Sequence, residues 1–103
     1  MEHTTIDCAP IRTREDLHRI FREALHFPAW YGSNLDALHD CLTSLSGTVR
    51  LENWEMAEAA LGKYGLAARR AIMDAALKNE NLDLILSKSR LWRVGPRDMP
   101  NSQ

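Results

Sequence analysis

At 103 residues, 45% apolar and 26% charged, the chain is expected to form one domain with a single modest core that needs no metal or disulfide staple. It has no run of about 18 apolar residues to cross a bilayer, and its start, Met1-Glu2-His3-Thr4-Thr5, lacks the basic and apolar regions of a signal peptide; a cytoplasmic address is expected, with Cys8 and Cys41 as reduced, mostly buried thiols. The net charge of −1 combines 13 acids and 9 bases over residues 1–87 (−4) with Lys88, Arg90, Arg93 and Arg97 against Asp98 over residues 88–103 (+3).

In chain order, Thr4 to Cys8 reads as a first strand that Ala9-Pro10 ends. Thr13-Arg14-Glu15-Asp16 resembles a capping box with Asp in the place of the usual Glu or Gln, opening a helix whose Leu17, Ile20, Phe21, Ala24 and Leu25 keep helical spacing until Pro28 stops it. Pro28-Ala29-Trp30-Tyr31-Gly32-Ser33-Asn34 is a turn in which Gly32 is expected to take a positive φ and Asn34 or Ser33 to cap the next helix. At 100° per residue, Leu35, Leu38, Leu42 and Leu45 share one arc of that helix, with Cys41 adjoining it as a core residue. Asp36, His39, Asp40 and Thr43 share another arc. Between Glu23 and Val49 no Lys or Arg occurs, so this helix presents an acidic face suited to a cationic partner and unsuited to nucleic acid.

Thr48 to Glu52 reads as a second strand, and Asn53 as the cap of a helix from Trp54 to Leu61 that Gly62 ends. A further helix is expected from Leu66 to Lys78, with Leu66, Ile72, Met73, Ala76 and Leu77 inward and Arg69, Arg70 and Asp74 toward water. Leu82 to Leu86 is a third strand. Strands separated by helices predict an α/β domain: a small three-stranded parallel sheet packed with about four helices in the order β-α-α-β-α-α-β. The folded domain is expected to span residues 1–87, and the basic tail 88–103, broken by Gly95-Pro96 and Pro100, to be partly disordered. No phosphate loop, CxxC pair or repeat is present, which removes most cofactor-dependent enzyme classes. Three ligands from one turn of helix rarely converge on a tetrahedral site, so Asp36, His39 and Asp40 do not read as a metal site, and no cofactor is expected.

The run Trp30-Tyr31-Gly32-Ser33-Asn34-Leu35-Asp36-Ala37-Leu38-His39-Asp40-Cys41-Leu42-Thr43 resembles the barstar family, small intracellular inhibitors of ribonucleases such as barnase. The resemblance continues through Ile11-Arg12-Thr13, Asp16-Leu17-His18, Glu23-Ala24-Leu25, Leu51-Glu52-Asn53-Trp54 and Leu82 to Ser87. It implies the same β-α-α-β-α-α-β order, no catalysis, and partner contact through Trp30, Gly32, Asn34, Asp36, His39, Asp40, Thr43 and Asp74. By position, Asp40 inherits the carboxylate that takes the place of a substrate phosphate among the ribonuclease's Arg and His groups. Asp36 is the second anion, Trp30 stands where the family has a contacting Tyr, and Asp74 stands where it has a glutamate.

Each of these residues also has a plainer reading. Asp36 and Asp40 can be a solvated face, Asn34 an N-cap, Trp30 a turn anchor, and Asp74 a helix charge paired with Arg70 or Lys78. Tyr31 reads as structural. His39 and Leu45 replace tryptophans of the family's prototype and Ser33 replaces an acid, which points to a cognate basic, barnase-like ribonuclease other than barnase. The competing readings are a barstar-fold immunity or regulatory protein with a different toxin or protein partner, and nucleic-acid binding through the tail's bases and Trp92.

Overall fold

In the computed structural model, which describes residues 3–87, local chemistry sets most element boundaries. The capping box forms with Asp in the Glu position: Thr13 Oγ1 accepts from the Asp16 amide at 3.1 Å, while Asp16 Oδ2 accepts from the Thr13 and Arg12 amides at 3.2 and 3.1 Å. Helix α1 (Arg14–Leu25) follows. It ends at His26, whose left-handed φ of 56° lets the Phe27 N–H donate to the Arg22 carbonyl at 3.0 Å. The stop is therefore this left-handed residue, two positions before the Pro28 expected to supply it.

Helix α2 (Leu35–Thr43) starts at Asn34, whose side chain accepts from the Ala37 amide at 2.8 Å. Helix α3 (Trp54–Leu61) follows Asn53, which is left-handed at φ 60° and makes no side-chain cap. Its side-chain Nδ2 donates instead to Asp7 Oδ1 at 3.0 Å, tying the start of α3 to the end of the first strand. Gly62, at φ 63°, separates α3 from α4 (Lys63–Lys78), so α4 begins three residues before the expected Leu66.

The strands β1 (His3–Asp7), β2 (Gly47–Glu52) and β3 (Leu82–Ser87) form one parallel sheet in the order β1-β2-β3, with Ile6 opposite Leu51 and Val49 opposite Leu84. The element order is the expected β-α-α-β-α-α-β. Consecutive parallel neighbours joined by right-handed crossovers put the helices on one side of the sheet. β2 is patterned accordingly: Gly47, Val49 and Leu51 are buried, while Thr48, Arg50 and Glu52 are half-buried on the other face. There Arg50 holds Glu52 and the Ser87 hydroxyl, each at 3.1 Å.

The core is built from Ile11, Leu17, Phe21, Leu38, Leu42, Leu51 and Ile72. On α4 the inward face differs from the expected one: Gly65, Ala68, Ile72 and Ala75 are buried, whereas Met73 is exposed and Leu77 is 85% exposed. Gly65 faces inward where α4 lies against α3 backbone to backbone. A Cβ on Gly65 would come within 2.6 Å of the Glu58 carbonyl oxygen, so no larger side chain fits the seam. Arg69, expected to face water, crosses the same seam and donates from Nε to Glu58 Oε1 at 2.7 Å. Residues 88–103, including the tail expected to be partly disordered, lie outside the described residues.

Candidate functional site

Residues 26–34 carry the chain from α1 to α2 without regular structure, and this loop with α2 gathers most of the expected binding residues. Its left-handed position falls on Ser33 (φ 55°) and not on Gly32 as expected. What constrains Gly32 is space: an added Cβ would sit 3.2 Å from Asn34 Nδ2 and 3.7 Å from Ala37 Cβ. Asn34 is occupied by the turn itself, capping α2 through Oδ1 and donating to the Gly32 carbonyl at 3.4 Å.

Two adjacent aromatics point in opposite directions. Tyr31 is buried, with its amide bonded to the Pro28 carbonyl at 2.9 Å and its ring tilted against Phe27 at 4.9 Å. Trp30 is 76% exposed. Water contact over so large an apolar surface is unfavourable by about 25 cal/mol per Å², which makes Trp30 the most costly exposed ring of the loop. It borders a crevice of about 360 Å³ lined also by Leu25, Phe27, Leu45 and Asp40. The loop and helix thus set an exposed indole and a free carboxylate around one cleft.

Helix α2 docks through buried Leu38 and Leu42, with Leu35 and Leu45 partly buried beside them. Its other face bears exposed Asp36 and Asp40, the latter with a side chain 86% exposed. Asp36 lies in the first turn, where the helix dipole favours an anion; Asp40 lies in the second half, where the dipole disfavours one and no basic residue of the last turn compensates. Among the described residues Asp36 has no ion pair, and Asp40 has only His39 Nδ1 at 4.0 Å. Thr43 returns its hydroxyl to the Asp40 carbonyl at 2.7 Å, so its donor is used within the helix.

The remaining two expected residues bind each other. His39 Nε2 is 2.7 Å from Asp74 Oδ2, and the same carboxylate takes Lys78 Nζ at 3.0 Å. The Lys78 hydrogen bond and then the His39 bond hold the Asp74 carboxyl below the usual carboxylate range. Asp74 is therefore neutralised within the domain, in contrast with Asp36 and Asp40. Cys41 is half-buried, packed against the core and also lining the crevice, while Cys8 is fully buried. Burial pushes the Cys8 thiol up to about 12, and burial followed by the Asp40 charge pushes Cys41 up as well, so neither is a thiolate near neutral pH.

Two buried polar residues that position this face were not anticipated. Asn79 donates from Nδ2 to the Leu42 and Leu45 carbonyls at 2.9 and 2.7 Å and accepts from the Asn81 amide at 3.0 Å, which satisfies the carbonyl end of α2. Nothing in the pattern around Asn79 signals that role. His18 binds two tyrosines from inside the core; its seven-residue spacing from Leu25 puts both on one side of α1, which is the signal that places it inward. A larger crevice, about 680 Å³ and lined by Trp54, Leu66 and Leu86 among others, shares no residue with this face. Among the described residues no three His, Cys, Asp or Glu side chains gather to hold a metal ion, and no helix is long and apolar enough to cross a membrane.

Two comparisons bear on this geometry. The family described as Barstar (barnase inhibitor) matches residues 1–87. A curated Bacillus subtilis (strain 168) protein named "Putative ribonuclease inhibitor YrdF" is 39% identical over 85 residues, covering 78% of this chain and 93% of that protein.

Proposed function

The chain belongs to the barstar family, and from that premise we propose that it is a stoichiometric, reversible inhibitor of a basic, barnase-like ribonuclease, acting in the cytoplasm. It is an inhibitor and not an enzyme. Asp36 and Asp40 enter the nuclease's phosphate-binding cleft and meet the cations that otherwise hold the phosphodiester, while Trp30 packs at the rim as the apolar anchor. Gly32, Asn34, His39 and Thr43 complete the contact surface; Asp74 acts mainly by holding His39.

The observation that carries the reading is the state of the two carboxylates. They stand on a helix docked through Leu38 and Leu42, exposed and, among the described residues, without a Lys or Arg partner; Asp40 has His39 Nδ1 at 4.0 Å. A nuclease must gather cations to bind a phosphodiester, so preorganised anions of this kind are complementary to its cleft. A hydrogen-bonded charge pair desolvated at such a contact loses about 2–5 kcal/mol when one partner is truncated, whereas an exposed rim pair loses at most about 1 kcal/mol.

The test is capture from lysate and growth medium of the source cells on immobilised wild type and on the Asp36→Ala/Asp40→Ala variant. One basic nuclease retained by the wild type alone, released by high salt and silenced by added inhibitor, is the expected result. Retention of the same proteins on both columns would move the function to another surface and favour a partner other than a nuclease.

A further inference from the structure

The loop that carries Trp30, Gly32 and Asn34 lies between two helices, with left-handed residues at its start and near its end, His26 and Ser33. Its buried side chains are Phe27 and Tyr31. Apolar contact with Phe27 holds the Tyr31 ring but does not fix where the hydroxyl points. That is set by His18 of α1, whose Nδ1 lies 2.6 Å from the Tyr31 hydroxyl. The other ring nitrogen, Nε2, lies 2.7 Å from the hydroxyl of Tyr64 on α4. Tyr64 is fixed from its outer side by the Arg14 guanidinium, 4.4 Å from the ring centroid.

We infer that His18 is the positioning residue of the partner-binding loop: its two ring nitrogens clamp Tyr31 to Tyr64 and thereby hold Trp30, Gly32 and Asn34 in their binding arrangement before a partner arrives. What the loop binds rests on the inhibitor reading; what holds it rests on the geometry alone.

A buried imidazole is a poor filler, because taking it out of water is unfavourable unless both nitrogens are satisfied. At 3% exposure His18 satisfies both, and with partners from two different segments. In the neutral ring one nitrogen donates and the other accepts, so one tyrosine hydroxyl receives a proton from His18 and the other gives one. Either neutral tautomer closes both bonds, with the two hydroxyls taking opposite roles. Protonation would make both nitrogens donors and leave one hydroxyl proton without its acceptor. The groups facing the ring are the two tyrosine hydroxyls and the Glu15 carboxylate, with Arg14 over Tyr64 and Arg22 near Tyr31. Burial lowers the His18 pKa against the opposing pull of Glu15, which keeps the clamp neutral at neutral pH. Preformed loops associate faster and more tightly because less order is lost on binding.

The experiment is native-state amide hydrogen exchange by NMR on the full chain and on His18→Leu, His18→Gln and Tyr64→Phe variants. The reporters are the Tyr31 amide, bonded to Pro28, and the Ala37 amide, bonded to Asn34; Leu51 in the central strand is the reference. His18→Leu is expected to speed Tyr31 exchange about tenfold beyond any change at Leu51, the scale of one lost hydrogen bond. Tyr64→Phe should do so by less, and Gln, which keeps a donor and an acceptor, should restore most of the protection. If His18→Leu does not fold, the other two variants decide. Equal acceleration of Tyr31 and Leu51, or none at Tyr31, would overturn the inference. So would ring-nitrogen shifts in the wild type showing both nitrogens protonated at pH 7. A nuclease caught by wild type and bound by Tyr64→Phe at an unchanged association rate would overturn the clamp's role in recognition and leave the inhibitor reading intact. Failure of the wild type to bind any nuclease would sink the inhibitor reading while the exchange result stood.

Discussion

Replacing Gly65 by Ala tests the packing that sets α4, and with it Tyr64 and Asp74, against the rest of the domain. The new Cβ would lie 2.6 Å from the Glu58 carbonyl oxygen and 2.7 Å from its Cα, where an unstrained carbon contact needs roughly 3.5 Å or more. Both offending atoms belong to helix backbone, so no side-chain rotation relieves them, and α3 and α4 must part by on the order of 1 Å. Overpacking of this kind costs about 1–3 kcal/mol, and the lack of an escape route places it in the upper half of that range. Alanine recovers about 1 kcal/mol by removing glycine's helix penalty. The net expectation is a loss of about 1–2 kcal/mol, read in urea unfolding as a lower midpoint at unchanged slope, and as a fall of roughly 4–8 °C in Tm per kcal/mol. Ala67→Gly, at an exposed position of the same helix, isolates the propensity part. A Gly65→Ala protein as stable as wild type, or more so, would refute the close seam.

Asn79→Ala should cost about 2–3 kcal/mol, because it strands the Leu42 and Leu45 carbonyls and the Asn81 amide; urea unfolding measures it, and a change below 0.5 kcal/mol on the order of an ordinary surface substitution would contradict the account. Asp16 has its carboxyl held below the usual 3.8, first by the Arg12 amide and then by Arg19. A depressed acid lends stability above its unfolded pKa and loses it as pH falls through the folded value. Asp16→Asn should therefore be less stable than wild type at neutral pH and converge with it in acid; parallel curves would contradict this. Trp30→Ala should leave thermal stability within about 0.5 kcal/mol, since the ring is exposed, yet slow dissociation less and weaken nuclease binding about tenfold or more as an interface anchor does.

Much of the fold was legible because α1 and α2 carry strong local signals: a capping box at Thr13 and Asp16, an Asn cap at Asn34, and leucines at helical spacing. β2 was legible from its alternation and β3 from its apolar run. α4 was misread for a physical reason. Its inward face is Gly65, Ala68, Ile72 and Ala75, and hydrophobic periodicity weights Met73 and Leu77 above small residues, among them the Gly65 that the backbone-to-backbone seam requires. Gly32 was misread because φ depends on the hydrogen bonds of the whole turn, and those put the left-handed residue at Ser33. The acidic face was visible in Asp36, Asp40 and the absence of Lys and Arg around them. The bonds that steady it, His39 to Asp74, Asn79 to the end of α2, and His18 to the two tyrosines, join residues 35, 37, 46 and 13 positions apart. No local pattern encodes such contacts.

Exposed carboxylates on α2 are expected to block a nuclease. The direct measurement is RNA cleavage by the captured nuclease, titrated with wild type and with the Asp36→Ala/Asp40→Ala variant at low and high salt. Complete inhibition by wild type at one equivalent, association that slows as salt rises, and a large loss of inhibition in a variant that remains folded are expected. Equal inhibition by the two proteins, with no dependence on salt, would contradict it.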